Sequence, residues 1–289
     1  MTRRAPTTSP KRAITHPEKI LFPEDGITKG ELAAYYERVA AVMVPHISGR
    51  PVTMERFPRG IGEPGFIQKD VSRGFPEWLE RVEVPKKGGT VRHALISDTR
   101  SLLCVVNQNT ITPHVWTSRV PSLDVPDLCV FDLDPPEDGE LAQLRDAALR
   151  LRELLASEGH RSWIKTSGSK GFHIVTRADG LATKGAAARF ASRIGRALVE
   201  HDPAHLTQEF AKADRGGRIY VDTGRNGYSA TFAAVYAVRP KAGAPVSAPC
   251  TWEEVDIGAV APRSLTLRTM PARLDLIGDL WAELLSLTA

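Results

Sequence analysis

LCVFDLD, residues Leu128–Asp134, is an apolar stretch that ends in two carboxylates. Because side chains alternate along a β-strand, Asp132 and Asp134 leave the same face. Two like charges side by side at the end of an apolar strand are stable only when protons or cations neutralise them. The stretch therefore predicts a buried strand whose end holds Mg²⁺ or Mn²⁺ through hard oxygen ligands. The alternative is a strand that simply exposes two acids to water before the two prolines that follow.

Helices and strands alternate on the C-terminal side of this stretch. After Pro135-Pro136, apolar residues recur at helical spacing up to Gly159, which predicts a long amphipathic helix. Further patterns predict strands at 162–165, 172–176, 218–222 and 231–238, and helices at about 183–201 and at 271–287. Because the order is not strictly βαβ, the sequence predicts an α+β fold with a mixed or antiparallel sheet.

The N-terminal side has a different character. TKGE at 28–31 is a capping box, and the apolar spacing that follows predicts a helix to about Val44. Residues 50–97 are rich in Gly and Pro and predict short strands joined by loops, after which Asp98 can cap another helix. Residues 1–12 predict a disordered basic arm. The remaining chain divides near residue 122, into 13–121 and 122–289.

Composition bounds the class of protein. The 289 residues carry 38 Lys and Arg against 34 Asp and Glu, a net charge of +4 that suits a polyanionic partner and many ordinary enzymes alike. Cys104, Cys129 and Cys250 form no Cys-x-x-Cys pair, which argues against a zinc ribbon or a disulfide framework and favours a reducing cytoplasm. Neither a secretory signal nor an apolar run of about 18 residues is present. We therefore expect a cytoplasmic protein with no membrane partner.

Other motifs carry possible chemistry. TSGSKGFH, residues 166–173, gathers hydroxyls, glycines, backbone N–H groups and one cation, as a triphosphate cradle requires. It lacks the order of a Walker A loop, and its alternative is an ordinary turn with a surface lysine. Asp222 can complete a metal site or be a lone residue at a turn. His114 can donate to a phosphate oxygen or satisfy a buried partner.

Taken in this order, the segments resemble the polymerase domain of bacterial ATP-dependent DNA ligase D, a member of the archaeo-eukaryotic primase superfamily. The resemblance extends over nearly the whole chain, as a stand-alone relative or an excised domain. The matching segments are ITHPEKILFP (14–23), ITK (27–29), YY (35–36), HISGRP (46–51), GFIQK (65–69), HVW (114–116), DLDP (132–135), TSGSKGFH (166–173), VD (221–222), YAVRP (236–240) and TW (251–252).

This resemblance implies a primase-like catalytic core, at 122–289, with mixed or antiparallel sheets flanked by helices, preceded by a DNA-end-binding part at 13–121. It implies a two-metal polymerase that uses Mn²⁺ or Mg²⁺ and adds nucleotides, preferably ribonucleotides, to 3′ ends. The implied substrates are NTPs or dNTPs and DNA with 3′ overhangs or gaps and a 5′-phosphate. Double-strand break repair by end joining in the bacterial nucleoid is the implied process, with the Ku end-binding protein and a DNA ligase as partners.

The resemblance also implies residue roles by position. The metal-binding and catalytic carboxylates are Asp132, Asp134 and Asp222. The residues that bind the incoming nucleotide are His114, Ser167, Lys170, His173, Arg215 and Arg239. The lysines that hold the 5′-phosphate of a downstream strand are Lys19 and Lys29. The template contacts are Phe66 and Arg56, where an aromatic ring can stack on any base.

The chain departs from the family's pattern near the nucleotide and the template. Arg225 stands where an amide is usual, and Glu55 where a basic residue is usual. Ile67 replaces a second aromatic residue, and Pro113 precedes His114. These departures bear on sugar preference and on synapsis but leave the three carboxylates intact. Two other functions stay open: a non-catalytic module that binds and bridges DNA ends, and a metal-dependent phosphoesterase that uses the same acids.

Overall fold

The computed structural model describes residues 14–71 and 74–286. The predicted basic arm, 1–12, lies outside the described residues. The strands are β1 (Ile20–Phe22), β2 (Ile27–Thr28), β3 (Val52–Arg56), β4 (Phe66–Gln68), β5 (Arg81–Lys86), β6 (Gly89–Ala94), β7 (Thr110–Trp116), β8 (Leu128–Asp134), β9 (Ser162–Thr166), β10 (Phe172–Arg177), β11 (Leu206–Thr207), β12 (Ile219–Asp222), β13 (Thr231–Ala233) and β14 (Pro249–Cys250). The helices are α1 (Lys29–Ile47), α2 (Thr99–Asn107), α3 (Leu141–Ser157), α4 (Ala186–His201), α5 (Trp252–Asp256), α6 (Met270–Ile277) and α7 (Ala282–Ser286), with 3₁₀ turns at Lys212–Asp214 and Gly224–Asn226.

Two six-stranded sheets lie at the centre of the molecule. Sheet I has the strand order β11-β12-β8-β10-β9-β14. It is a mixed sheet, because β11 runs parallel to β12 whereas the other described pairings in the sheet are antiparallel. Sheet II has the order β13-β7-β3-β6-β5, with β4 paired to β3, and its described pairings are antiparallel. Helices α3 and α4 pack against sheet I. The predicted α+β class with mixed and antiparallel sheets is confirmed.

Strand β8 separates two hydrophobic cores. Phe131 and Leu133 are fully buried against α3 and α4, whereas Val130 belongs to the core shared with α1 and sheet II. Side-chain alternation therefore places Asp132 and Asp134 on the Val130 side of the sheet, as the sequence predicts. The two carboxylates end β8 on the face that looks towards sheet II.

Helix α1 begins where its capping box predicts. The Thr28 hydroxyl oxygen accepts the N–H of Glu31 at 3.1 Å, and the Glu31 carboxylate accepts the N–H of Thr28 at 3.0 Å. The buried Tyr35 on this helix donates its hydroxyl to the carbonyl oxygen of Tyr236 at 2.8 Å. This bond fixes α1 against the segment that follows β13.

Two sequence predictions are wrong in their extent. The strand predicted at 231–238 ends at Ala233, because the chain then turns and Tyr236 takes a left-handed conformation with φ 64°. The single helix predicted at 271–287 is divided into α6 and α7, with Gly278 at φ 69° between them. Residue 287 lies outside the described residues. In both places a local backbone reversal interrupts a continuous apolar pattern.

Candidate active site

Strand pairing brings the three predicted carboxylates together. Strand β12 runs antiparallel to β8, with Asp222 opposite Asp132 and Tyr220 opposite Asp134. Residues directly opposite each other in such a pair have Cβ atoms about 4.5–5.5 Å apart and side chains on the same face. The carboxylates of Asp132 and Asp222 therefore stand beside each other, and Asp134 follows along β8. We call these three residues the carboxylate cluster.

The pKa values of Asp132 and Asp222 are shifted in opposite directions. Burial disfavours the charged form of Asp132, but His173, Arg225 and Lys165 outweigh it and lower the pKa of Asp132 to about 2. At Asp222 the effect of burial is larger than the opposing effect of Arg225, so the pKa of Asp222 is raised above the ordinary value. The cluster thus concentrates negative charge in a partly buried place, where cations are needed for balance.

Two arginines neutralise the carboxylate cluster. Arg225 Nη2 lies 3.0 Å from Asp222 Oδ2 and 3.5 Å from Asp132 Oδ2. Arg215 Nη1 lies 3.1 Å from Asp134 Oδ2. Each of the three carboxylates therefore has an arginine partner.

The donor chemistry of the cluster suits a hard divalent cation, because its three carboxylates offer oxygen ligands. As the side chains stand, no group of three His, Cys, Asp or Glu within 14–71 and 74–286 is placed to hold a metal ion. The Arg225 guanidinium pairs with both Asp132 and Asp222. Asp132, Asp134 and Asp222 are the residues that would hold such a cation.

A buried lysine and histidine support the cluster from β9 and β10. Lys165 is fully buried, and its Nζ donates to His173 Nδ1 at 2.8 Å and to the Ser247 hydroxyl. Burial, reinforced by Lys165, lowers the pKa of His173 to about 4 and leaves the ring neutral. A neutral ring that accepts at Nδ1 carries its proton on Nε2, which lies 3.4 Å from Asp132 Oδ1. The imidazole is therefore oriented towards Asp132.

The loop between β9 and β10, residues 167–171, lies beside the cluster, and we call it the Ser167 loop. Ser167 Oγ accepts the N–H of Gly171 at 3.1 Å. Gly168 has φ +65°, and a Cβ built there would lie 2.6 Å from Arg239 Cγ. A Cβ at Gly171 would lie only 1.6 Å from the carbonyl oxygen of Leu133. The glycines therefore allow the loop to pass closely over both Arg239 and the end of β8.

Cations flank the Ser167 loop. Arg239 donates from Nη1 to the carbonyl oxygen of Ser167 at 3.0 Å, while its buried Nε has no hydrogen-bond partner in the described part of the chain. Lys170 forms an ion pair with the exposed Glu137. Buried donors in proteins are nearly always hydrogen-bonded, so the Arg239 Nε is available to donate to a bound ligand. An anionic ligand in this loop would supply the acceptor.

His114 on β7 faces Glu55 on β3. Their Nε2 and Oε2 atoms lie 3.0 Å apart. Burial lowers the pKa of His114 although Glu55 opposes this. Burial alone would raise the pKa of Glu55, but His114 and Arg239 keep that pKa below the ordinary value. The pair is therefore a neutral imidazole beside an ionised carboxylate, close to Arg239.

Lys19 and Lys29 lie in a separate place, a cavity of about 360 Å³ at the start of α1. Lys29 is only 2% exposed and donates to Thr15 Oγ1 at 3.1 Å. Its pKa is lowered by burial and by the charges of Lys19 and Arg56. The other residues that line this lysine cavity are Thr15, His16, Asn107, Gln108 and Asn109. Two lysines in one polar cavity favour an anion.

Phe66 and Arg56 lie opposite each other on β4 and β3, beside the lysine cavity. The Phe66 side chain is 46% exposed, and the Arg56 guanidinium lies 5.2 Å from its ring centroid. Arg56 Nε donates at 2.6 Å to the carbonyl oxygen of Gln108, which lines the cavity. The preceding residue, Glu55, contacts His114. Strand β3 thus connects the lysine cavity, the exposed aromatic ring and the His114 side of the site.

The family model described as LigD, primase-polymerase domain, matches residues 28–281. The chain belongs to this LigD primase-polymerase family. It is 35% identical over 274 residues to the multifunctional non-homologous end joining protein LigD of Mycolicibacterium smegmatis, a match that covers 94% of this chain and 36% of that protein. The LigD protein of Pseudomonas aeruginosa is 30% identical over 272 residues, which cover 93% of this chain and 32% of that protein. The chain therefore spans about a third of the length of these relatives.

A solved structure shows the same likeness in three dimensions. The polymerase domain from Mycobacterium tuberculosis Ligase D, solved in complex with DNA, matches with a TM-score of 0.90 at 34% identity, over 97% of this chain and 100% of that chain. Membership in the LigD primase-polymerase family confirms the predicted primase-like fold and nucleotidyltransferase class. The family is metal-dependent. Within 14–71 and 74–286, no helix has the length and apolar character needed to span a bilayer.

Sequence reasoning missed three features of the site. Lys165 is a lone charge in the apolar strand SWIKT, and this was a usable signal because lysine is almost never fully buried without a partner. The contact of Glu55 with His114 depends on the pairing of β3 with β7, which leaves no local mark in the sequence. The double contact of Arg225 depends in the same way on the pairing of β8 with β12.

Proposed function

We propose that this LigD primase-polymerase domain adds nucleotides to the 3′ end of a primer, directed by a template strand. The observation that carries the proposal is the convergence of Asp132, Asp134 and Asp222 beside the Ser167 loop and Arg239. The similarity to a polymerase domain solved with DNA supports it.

In this reaction the primer 3′-hydroxyl loses its proton and attacks the α-phosphate of a nucleoside triphosphate. A new O–P bond forms, the bond between the α- and β-phosphates breaks, and pyrophosphate leaves. Asp132, Asp134 and Asp222 would hold two divalent cations, Mn²⁺ or Mg²⁺, which supply activation of the hydroxyl and neutralisation of the triphosphate charge. Lys165 and His173 keep Asp132 ionised and fixed in direction. The protein thereby prepares its ligands before substrate arrives.

The incoming triphosphate is bound by His114, Ser167, Lys170 and Arg239. A triphosphate carries several negative charges and needs several cations and donors around it. Arg239 offers its unpaired Nε, and Lys170 exchanges the exposed Glu137 for phosphate. The family resemblance also assigns His173 and Arg215 to the incoming nucleotide; because they contact Asp132 and Asp134, we propose that they act by positioning the cluster.

The DNA is bound by the part of the chain formed by 13–121, and the chemistry is carried out by 122–289. The lysine cavity holds the 5′-phosphate of a downstream strand through the half-buried Lys19 and the buried Lys29. Phe66 stacks on a template base, and Arg56 braces the ring from the other side.

The relatives are named for non-homologous end joining. We propose that this chain acts in the same process in the bacterial nucleoid, on ends with 3′ overhangs or gaps and a 5′-phosphate. Ribonucleotides are its preferred substrates, and dNTPs serve less well. A Ku end-binding protein and a DNA ligase act with it.

Primer extension on a gapped duplex tests the proposal. The duplex carries a 5′-phosphate, and NTPs or dNTPs are supplied with Mg²⁺ or Mn²⁺ in turn. We expect extension by the wild-type protein and none by Asp132→Ala or Asp134→Ala. Asp138→Ala, an exposed acid close by in sequence, is the matched control and should extend normally. Robust extension by either cluster variant would contradict the mechanism.

The alternative is a non-catalytic module that binds and bridges DNA ends. It is favoured by one observation, namely that Arg215 and Arg225 form ion pairs with all three carboxylates. This alternative predicts binding that weakens with salt but no incorporation by the wild-type protein with Mn²⁺ and triphosphates. The same extension assay therefore separates the two functions.

A further inference from the structure

Arg225 has a place in the site that differs from that of any other cation there. Its Nη2 contacts Asp222 and Asp132 together, at 3.0 and 3.5 Å, so that one guanidinium bridges two neighbouring strands. Arg215, in contrast, reaches only Asp134 within the cluster. The Arg225 charge thus lies where two adjacent carboxylates repel each other most strongly.

The backbone that carries Arg225 is fixed. The next residue, Asn226, is buried, accepts the N–H of Val130 at 2.7 Å and donates to the Val130 carbonyl oxygen at 2.7 Å. On the other side, the N–H of Gly224 donates to Asp222 at 2.8 Å. Because the turn is bound to β8 and β12 in this way, the guanidinium leaves the carboxylates only by rotation of its own side chain.

The side chain has room for that rotation. The Arg225 side chain is 42% exposed, whereas those of Asp132 and Asp222 are 18% and 12% exposed. The two acids are therefore held in the site while their counter-ion borders solvent. A divalent cation binds more strongly to two carboxylates than a single positive charge does, so it can replace the guanidinium.

We propose that Arg225 is a built-in counter-ion that bridges Asp132 and Asp222 until a divalent cation displaces it, and that it thereby sets the metal concentration that the site requires. This inference rests on the proposed function, because it takes the carboxylate cluster as the metal site. Arg225 is a positioning residue in this scheme. It keeps the two acids in place before the metal binds and competes with the metal for them.

Mn²⁺ binding to the full chain, without nucleotide or DNA, tests the proposal. Free Mn²⁺ is measured by electron paramagnetic resonance during titration of wild type, Arg225→Gln, Arg225→Lys and Arg193→Gln. Arg193→Gln removes the same charge from an exposed ion pair on α4 with Glu158 and controls for net charge. We expect Arg225→Gln to bind Mn²⁺ about tenfold more tightly than wild type, and the other two variants to bind like wild type.

Thermal unfolding supplies a second readout. Without divalent cations Arg225→Gln should unfold at a lower temperature than wild type, because its carboxylates lack their counter-ion. Saturating Mn²⁺ should raise its unfolding temperature by more than it raises that of wild type. A merely structural role for Arg225 would lower stability both with and without Mn²⁺.

Asp132→Ala separates failure of this inference from failure of the proposed function. Equal Mn²⁺ affinity in wild type and Arg225→Gln, with the site lost in Asp132→Ala, would overturn the counter-ion role and leave the metal site standing. Mn²⁺ binding by both proteins no stronger than by Asp132→Ala would overturn both. Tight binding by Arg225→Lys equal to that of Arg225→Gln would show that charge is not the cause, and would overturn the inference as well.

Discussion

Gly171→Ala is a sharp perturbation of the Ser167 loop, because the structure leaves no space for a methyl group. The added Cβ would lie 1.6 Å from the carbonyl oxygen of Leu133, which is backbone and cannot rotate away. Strand β10 would have to move from β8 at the end that carries the loop. The bonds from Ser167 N–H to the Gly171 carbonyl oxygen, 2.9 Å, and from Gly171 N–H to Ser167 Oγ, 3.1 Å, would stretch with it.

The magnitude follows from these contacts. Overpacking of a close-packed site costs about 1–3 kcal/mol, and each of two lost hydrogen bonds adds about 1 kcal/mol. The free energy of unfolding should therefore fall by about 3–5 kcal/mol, a large share of the about 5–15 kcal/mol that stabilises a typical domain. The loop would also move relative to Arg239, so the KM for nucleotide should rise.

Urea unfolding followed by tryptophan fluorescence measures the stability, and primer extension measures the KM. Gly227→Ala is the matched control, because Gly227 has φ −82° and the nearest atom to its added Cβ is 3.8 Å away. The control also carries the effect of Gly→Ala on the unfolded chain. Equal unfolding midpoints for Gly171→Ala and Gly227→Ala would refute the packing argument.

Three further outcomes are expected. Lys29→Met should weaken binding to a gapped duplex with a 5′-phosphate about tenfold or more, since a charge-assisted hydrogen bond contributes about 1.5–3 kcal/mol. Fluorescence anisotropy should show no such loss with a 5′-hydroxyl duplex, and an equal loss of affinity for both duplexes would exclude phosphate recognition by Lys29. Glu55→Gln should lower the KM for nucleotide about threefold or more, because it removes a negative charge beside the proposed triphosphate site. An unchanged KM in primer extension would contradict this effect of the Glu55 charge. Burial lowers the pKa of His93 in the folded state, so the unfolded chain takes up the proton first as the pH falls. The stability from the neutral ring is therefore present above a pH of about 6.5 and is lost as the pH falls towards the folded pKa. Urea midpoints should decline less over this range in His93→Gln than in wild type, and an identical decline would contradict this role of His93.

Local patterns were enough to predict much of the fold. The capping box of Thr28 and Glu31 predicted the start of α1, and alternation along β8 predicted which face carries Asp132. Both depend on a few neighbouring residues, whose spacing is visible in the sequence. The turn at Tyr236 and the break at Gly278 escaped prediction, because a single residue with positive φ reverses the backbone within a continuous apolar pattern.

The site depends more strongly on distant contacts. That Asp222 lies opposite Asp132 follows from strand register, which a lone acid at the end of a short strand does not reveal. The ion pairs of Glu55 with His114 and of Arg215 with Asp134 likewise join separate elements. The resemblance to a known family supplied the roles that local reasoning left open.

The counter-ions decide what the carboxylate cluster can bind. Arg215 and Arg225 contact carboxylates of the cluster, Lys165 lowers the pKa of Asp132, and the charge of Asp132 raises the pKa of Arg239. Three acids held together without them would repel each other and oppose folding. Arg215 and Arg225, which pair with the carboxylates directly, are therefore both a source of stability and competitors for a metal ion. The affinity of the site for metal should depend on how readily these two arginines are displaced, and Arg225, which bridges two acids, should have the larger effect.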